Sequence, residues 1–419
     1  MKTRLILALI VMAFVQQVGA QRACSTFEYQ QNEVQKDPSL KNKMEAVEAF
    51  TQNHLRSSAN ILSRLTQTYL IKIPVVVHIL YHEPGEDISD AQVMEQINAL
   101  NRDYRRANAD SVNTPSYFKS VAADCEIEFH LATSDPKQRS TTGIIRKYTP
   151  ITYWEEDDQM KFSSSMGDDA WDSKSYLNIW VCNLRKVVGY SSVLGGPTNK
   201  DGVVIAFSAF GETNTLPGYD KGRTAVHEVG HWLNLKHPWG DANCGDDFVD
   251  DTPRQSTYTI GCPTGTRISC GNAPNGDMYM NYMDFTNDAC MNLFTEGQKE
   301  RMRALFDSGG VRSSILYSTG LNTALIFEAS LPDNPPQWLH PQVYPNPANN
   351  VLNLDVAYDT RWIGKIMTIS NLQGQTVMQF VINSKLQKID ISKLQSGMYF
   401  LSAKKEDGPS IKEKFVKLY

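Results

Sequence analysis

Beyond its first twenty residues the 419-residue chain has no apolar run approaching the roughly 20 residues that a spanning helix needs. It also lacks a clustered basic stretch. Its 41 Lys and Arg are interspersed with 46 Asp and Glu, for a formal net charge of −5. A nucleic-acid surface requires a concentrated basic face, so that class of partner is excluded. No internal repeat and no low-complexity block is present, which argues against a stacked-repeat or disordered architecture. What remains is ordinary globular composition, 41% hydrophobic and 21% charged. The chain is too long for one core, so two or more folded units are expected.

The N-terminus reads as a secretory signal peptide over residues 1–20. Lys2 and Arg4 open it, residues 5–15 (LILALIVMAFV) are apolar, and Val18-Gly19-Ala20 offers small residues before Gln21. The alternative, an uncleaved anchor, requires a longer run than this one. The mature protein is then expected to carry no transmembrane segment. Export also changes how the seven cysteines read, since cysteines outside the cytosol tend to pair. Cys244, Cys262, Cys270 and Cys290 crowd together, and the odd total leaves at least one thiol over.

Residues 21–63 are polar and weakly periodic, a poor core and a plausible pro-segment. Residues 71–81 (IKIPVVVHILY) form a dense β-branched run that predicts a buried strand. Ser89 with Gln92 is expected to make a capping box, and Val93, Ile97, Leu100 and Tyr104 follow at helical spacing. Strand-like runs recur at 125–131, 176–182 and 202–208. Thr295 with Gln298 caps a further helix that buries Met302, Leu305 and Phe306. Mixed helices and strands predict an α/β or α+β domain over residues 64–318. The Pro-rich stretch around 331–336 marks a linker, 319–340. Residues 341–419 alternate in short strands, enough for a small all-β sandwich.

The central segment is HEVGHWLNLKH, residues 227–237. His227 and His231 are four apart, so on a helix they share one face and can hold one Zn²⁺. Glu228 beside the first ligand is placed to take a proton from activated water. His237 is ten residues past His227, and on a continued helix it would lie roughly 9 Å beyond His231 along the axis. It reaches the same metal only if the helix stops and the chain turns back. Asn234 sits where that turn must fall, and Asn enters the left-handed region readily. A lone HExxH arises by chance on solvated helices. The third His, the turn residue, the export signal and the clustered cysteines together make this one a zinc site. His54, His78, His82, His130 and His340 have no ligand spacing.

The pattern HExxHxx-(G/N)-xxH resembles the metzincin clan, in which a methionine in a tight turn floors the metal site. Asn281-Tyr282-Met283-Asp284 fits that turn. The stretch FTNDACMNLFTEGQKERM (285–302) resembles the pappalysin-type (cytophagalysin) metalloproteases. Asp250-Asp251-Thr252-Pro253 and Asp201-Gly202-Val203-Val204-Ile205 do so as well. The similarity covers about residues 57–318. It implies a twisted mixed sheet, a zinc-binding active-site helix and metal-assisted peptide hydrolysis, with His227, His231 and His237 as ligands, Glu228 as base and Met283 as floor. Protein and peptide substrates would be the partners. The chain departs from the family at Phe285, where relatives carry a Tyr able to hold an oxyanion. Tyr282, another group, or the zinc alone would have to serve. Asn234 in place of Gly is a milder departure.

The resemblance implies more. Asp288 would sit in the primed-side pocket and select Arg or Lys after the cut, bidentate pairing being its physical basis; the alternative is a surface or cap Asp. Asp246, Asp247, Asp250, Asp251 and Thr252 form an oxygen-rich loop suited to structural Ca²⁺, or else an acidic solvated loop. Cys244 would pair with Cys270 and Cys262 with Cys290. Cys125 and Cys182 either pair or stay buried thiols. Arg22-Ala23-Cys24-Ser25-Thr26 resembles a latency segment whose cysteine occupies the zinc's open position; the alternative is an incidental free thiol. With Arg preferred after the cut, Leu55–Arg56 and Ser63–Arg64 are candidate self-cleavage bonds.

Val343-Tyr344-Pro345-Asn346-Pro347-Ala348 and Ser396-Gly397-Met398-Tyr399 resemble the C-terminal sorting domains of type IX secretion cargo. That implies export across an outer membrane by the type IX machinery, to the medium or cell surface; a generic binding module is the alternative. Two further functional classes compete with an endopeptidase. One is a non-catalytic adhesin on a protease-like fold. The other is a peptidase with a distal glutamate ligand replacing His237.

Overall fold

The computed structural model describes residues 24–57, 69–325, 341–356, 362–404 and 410–419. The expected signal peptide, most of the expected linker and the Ser63–Arg64 bond lie outside them.

Strand β1 (Ile71–Tyr81) is the axis of a six-stranded sheet. Its β-branched run is buried along nearly its whole length, as a strand covered on both faces requires. β2 (Ile127–Leu131) and β3 (Ile144–Tyr148) pair with its two halves in parallel, and β4 (Leu177–Cys182) pairs in parallel on the other side. Beyond β4 lies β6 (Val203–Ala206), parallel. The last strand, β5 (Gly189–Ser191), is antiparallel and forms the edge. The pattern of residues predicts β1, β2, β4 and β6. It does not reveal β3 or β5, which are too short or too mixed to carry a period.

One face of the sheet is covered by helices α3 (Asp90–Tyr104), α4 (Arg223–Trp232) and α5 (Glu296–Ala304). Val75, Val77, Ile179 and Ile205 meet Val93, Leu100, Val229 and Met302 there in one apolar core. The Ser89 cap is half a box. Ser89 Oγ accepts from Gln92 N, but the Gln92 amide turns inward and donates to Phe210 O. Thr295 and Gln298 form the full reciprocal box.

The opposite face has a second core built on Leu80, Trp180, Cys182, Tyr190 and Val204. Part of its cover is the N-terminal segment, which is far more ordered than its polar composition suggests. It forms α1 (Thr26–Lys36) and α2 (Ser39–Arg56), and Tyr29 and Leu40 join this core. Such helices owe their stability to docking, since their own apolar face is sparse.

The C-terminal unit is all-β, in two antiparallel sheets. One holds β9 (Ile366–Ser370), β10 (Thr376–Val381), β12 (Gly397–Lys404) and β13 (Ser410–Lys417). The other holds β7 (Gln342–Tyr344), β8 (Val351–Asp355) and β11 (Leu386–Asp390). Leu352, Leu354, Ile369, Leu401 and Phe415 fill its core. Alternation along β8 and β9 buries Leu352, Leu354, Met367 and Ile369 on one face and leaves Val351 and Ile366 exposed.

Candidate active site

Helix α4 carries the histidines, and its two ends are fixed by different devices. At its start the buried Asp288 carboxylate accepts from the Lys221 and Arg223 N–H groups at 2.9 and 3.1 Å. An acid there satisfies free amide donors and complements the helix dipole. Asp288 thus caps the metal helix. Arg223 is itself buried and bonded to Asp103 and Asp110. Burial opposes its charge, but those carboxylates outweigh it and push the guanidinium further up.

At the end, Leu235 N bonds Gly230 O at 2.9 Å and Asn234 N bonds His231 O at 3.0 Å, with Asn234 at φ +68°. These two bonds are a Schellman ending with Asn at its left-handed position. The reversal brings His237 back over the helix. Asp201 braces the same end from β6's approach: it accepts from Trp232 Nε1 at 3.0 Å and is clamped by Arg312. Burial disfavours its charge, but Arg312 more than compensates and holds the carboxyl below the usual range.

The result is convergence. His231 Nε2 lies 3.1 Å from both His227 Nε2 and His237 Nε2. Each Nδ1 is engaged outward: His227 with Tyr282 O at 2.8 Å, His231 with Leu235 O at 2.9 Å, His237 with the Asp241 carboxylate. Those acceptors fix the protons on Nδ1 and turn three Nε2 lone pairs toward one point. Three lone pairs so close repel unless a cation lies between them. Imidazoles on tetrahedral zinc at 2.0–2.1 Å would have their nitrogens about 3.3 Å apart, so the donor set fits that ion. Burial, with His237 adjacent, drives the His231 imidazole down to about 3, which keeps it a neutral ligand.

Met283 supports the floor. A Cβ at Gly230 would collide with its sulfur, so the HEVGH glycine is what lets the turn approach. Met283 N bonds Asn281 Oδ1, and the Asn281 amide is paired with Gln298 of α5. The Tyr282 ring faces away from the histidines, buried against Phe294 and Arg223. It is thereby removed as a substitute for the hydroxyl missing at Phe285. Phe285 instead stands edge-on to His237 and Trp239, with Tyr258 packed against both Phe285 and Trp239.

The N-terminal segment occupies this site. Cys24 Sγ and the three histidine nitrogens lie within 4.8 Å of one another, and no other three-residue set of His, Cys, Asp and Glu converges so among the described residues. Burial, and then the Glu228 charge, push the Cys24 thiol up. A bound cation inverts that balance, because coordination deprotonates a thiol. Thr26 Oγ1 donates to Glu228 Oε2 at 2.8 Å. Ser25 N donates to Gly189 O of the edge strand at 3.2 Å. Gly189 must lack a side chain, since a Cβ would press on Glu228 Cγ. Thr26, Asp241 and Gly189 carry no sequence signal of these roles; their contacts span up to 202 residues.

Cys244 bonds Cys270 and Cys262 bonds Cys290, stapling the loop between helix and Met-turn. Cys125 and Cys182 are free, buried thiols in the two different cores. Four of the five loop residues have partners within the protein. Asp246 accepts from Phe248 N and pairs with Arg254, Asp247 accepts from Val249 N and Thr252, and Asp251 accepts from Gly297 N. Burial pushes Asp247 up to about 7.

Helix, imidazole trio and Met-turn on a mixed sheet define the metalloprotease class. Residues 161–307 match the peptidase family described as "Pregnancy-associated plasma protein-A", and residues 342–418 match the secretion system C-terminal sorting domain. An extracellular metalloprotease of Neurospora crassa is 30% identical over 230 residues, 49% of this chain and 78% of that protein. One from Pyricularia oryzae is 42% identical over 130 residues, 29% of this chain but only 44% of that protein's length. A Tannerella forsythia promirolysin mutant is 44% identical, covering 71% of this chain and 97% of its own, with a TM-score of 0.65. Mature mirolysin of Tannerella forsythia, solved with a cleaved peptide, is 48% identical, covering 60% and 97%, with a TM-score of 0.58. The chain belongs to this extracellular metalloprotease family. Its sorting domain marks it as secretion cargo, and no helix among the described residues is long and apolar enough to cross a membrane.

Proposed function

We propose that the chain is the latent precursor of a zinc-dependent endopeptidase. The observation that carries this reading is the focus of three outward-anchored imidazoles beside Glu228, with the Cys24 thiol in the same focus. Zinc held by His227, His231 and His237 supplies Lewis acidity, polarising a carbonyl and making water acidic enough to react at neutral pH. Glu228 takes the proton from the attacking water and passes it to the leaving amine. Edge strand β5 aligns the peptide through its backbone groups, as added strands do. Tyr258, the phenol bordering Phe285, is assigned to the developing oxyanion, so Tyr258→Phe should lower kcat more than it changes KM.

Latency rests on Cys24 at the metal and Thr26 on the base, and activation on removal of the segment over 21–63. Leu55–Arg56, at the end of α2, is the candidate bond within the described residues. Preference for Arg or Lys after the cut is assigned to Asp288, and Ca²⁺ to the loop of Asp246, Asp247, Asp250, Asp251 and Thr252. The sorting domain would deliver the enzyme to the type IX machinery.

Cleavage of a peptide library by the zinc-loaded, proteolytically activated chain tests activity and the Asp288 assignment together. Hydrolysis abolished by chelation and by Glu228→Ala supports the reading. Activity retained in Glu228→Ala would sink it in favour of another mechanism, and none in either protein would favour a binding protein on this fold.

A further inference from the structure

Side chains alternate across β5. Gly189 faces Glu228 on the helix side, whereas Tyr190 enters the core on the opposite face. There it meets Tyr29, whose ring lies 4.7 Å from the Tyr190 ring. The Tyr29 hydroxyl donates to Asp158 Oδ2 at 2.6 Å. Asp158 is fully buried and held in the left-handed region at φ +66°, a conformation a non-glycine residue keeps only when its surroundings enforce it.

The enforcement comes from the enzyme side. Tyr190 donates to Asp158 Oδ1 at 3.1 Å, Lys161 Nζ lies 2.8 Å from the same oxygen, and Lys200 Nζ lies 3.1 Å from Oδ2. Lys161 is also fully buried and is fixed by the Lys200 carbonyl. None of these partners belongs to the N-terminal segment. The enzyme-side partners of the carboxylate are thus in place without Tyr29, whose hydroxyl adds a fourth.

We infer that Tyr190, Asp158 and Lys161 form a substrate subsite for a tyrosine side chain, which Tyr29 fills in the latent chain. A peptide added to β5 alternates its side chains across the sheet edge, so one of them is presented to this face. An aromatic ring packs tilted against Tyr190, as Tyr29 does, and the phenol hydroxyl donates to Asp158. Phenylalanine would bury the same area and remove one of the carboxylate's four donors, a loss larger than that of a missing methylene.

This inference rests on the peptidase reading but on other residues, so the two fail separately. The zinc-loaded chain, activated by limited proteolysis, is offered a peptide library. One position should prefer Tyr over Phe by about ten-fold or more in kcat/KM, and Asp158→Asn should level the two. In a second arm, calorimetry on the activated Glu228→Ala chain compares a peptide of residues 22–37 with its Tyr29→Phe version. The altered peptide should bind about ten-fold more weakly. Because this arm varies the ligand, it does not depend on Asp158→Asn folding. Equal affinities, or Tyr matched by Phe at every library position, overturn the inference. Absence of all cleavage with the binding difference intact supports the pocket and sinks the peptidase reading.

Discussion

Thr26 Oγ1 donates to Glu228 Oε2 and accepts from Ser191 N, both at 2.8 Å. One hydroxyl thus engages the base and the edge strand together. On the proposed reading as a latent precursor, inhibition has two parts, a thiol at the metal and a hydroxyl at the base. Cys24→Ser and Thr26→Val should each raise the peptide hydrolysis of the uncleaved chain, Thr26→Val by about ten-fold, the worth of one buried hydrogen bond to a charged group. An uncleaved Thr26→Val chain as silent as wild type would refute the second part.

Replacing Glu228 by Gln should lower kcat by about 10²–10⁴-fold with zinc content unchanged, as befits general base catalysis. His237→Ala should lose zinc, because it removes one of three ligands. Metal analysis of both proteins separates the roles. Full zinc content in His237→Ala would point to a different third ligand.

Arg301 is buried and pairs bidentately with Glu48 of α2, at 3.0 and 2.8 Å, while also donating to Asn234 O. Glu48→Ala strands that cation. The uncleaved chain should lose about 2–3 kcal/mol, below the full cost of breaking a buried pair because Glu48 is partly exposed. Denaturant unfolding measures it. The activated enzyme, which would have lost α2, should be indifferent.

Acid should loosen α1. Burial opposes charge on Glu33 and Asp158, but Lys200 and Lys36 outweigh it at Glu33 and Lys161 at Asp158, so both carboxyls sit below their usual values. A carboxyl depressed in the folded state adds stability above its unfolded pKa of about 4, and that stability is lost as pH falls. Hydrogen exchange over residues 26–36 should be flat from pH 5 to 8, after correction for intrinsic rates, and rise at pH 3. Protection unchanged at pH 3 would contradict it.

Gly230→Ala should destabilise the catalytic unit by about 1–3 kcal/mol, the cost of overpacking, since the new methyl meets the Met283 sulfur. Met283→Ala in the same chain should recover part of that loss if the contact is the cause. No recovery would place the strain elsewhere.

Much of the fold was legible because its signals are local. The run at 71–81, the helical spacing after Ser89 and the box at Thr295 each carry their period within a few residues. Strands β3 and β5 were invisible because three to five residues of mixed polarity show no period. The order of α1 and α2 was also hidden, since these helices are stabilised by the body they dock on. At the site, spacing alone demanded a reversal at Asn234, and the structure supplies it by a Schellman ending. Spacing did not reveal that Asp288 caps the metal helix, nor that the acidic loop residues are turned to local partners.

The sequence by itself singled out three candidate ligands, a candidate base and the need for a turn, because four-residue spacing on a helix and the limited reach of a chain leave few alternatives. Only the tertiary structure decided what surrounds them. The Tyr282 carbonyl on His227, the glycine beneath Glu228, the hydroxyl of Thr26 upon it and the pocket of Tyr29 behind it come from segments far apart in the chain. Their meeting is set by packing, which no local pattern encodes.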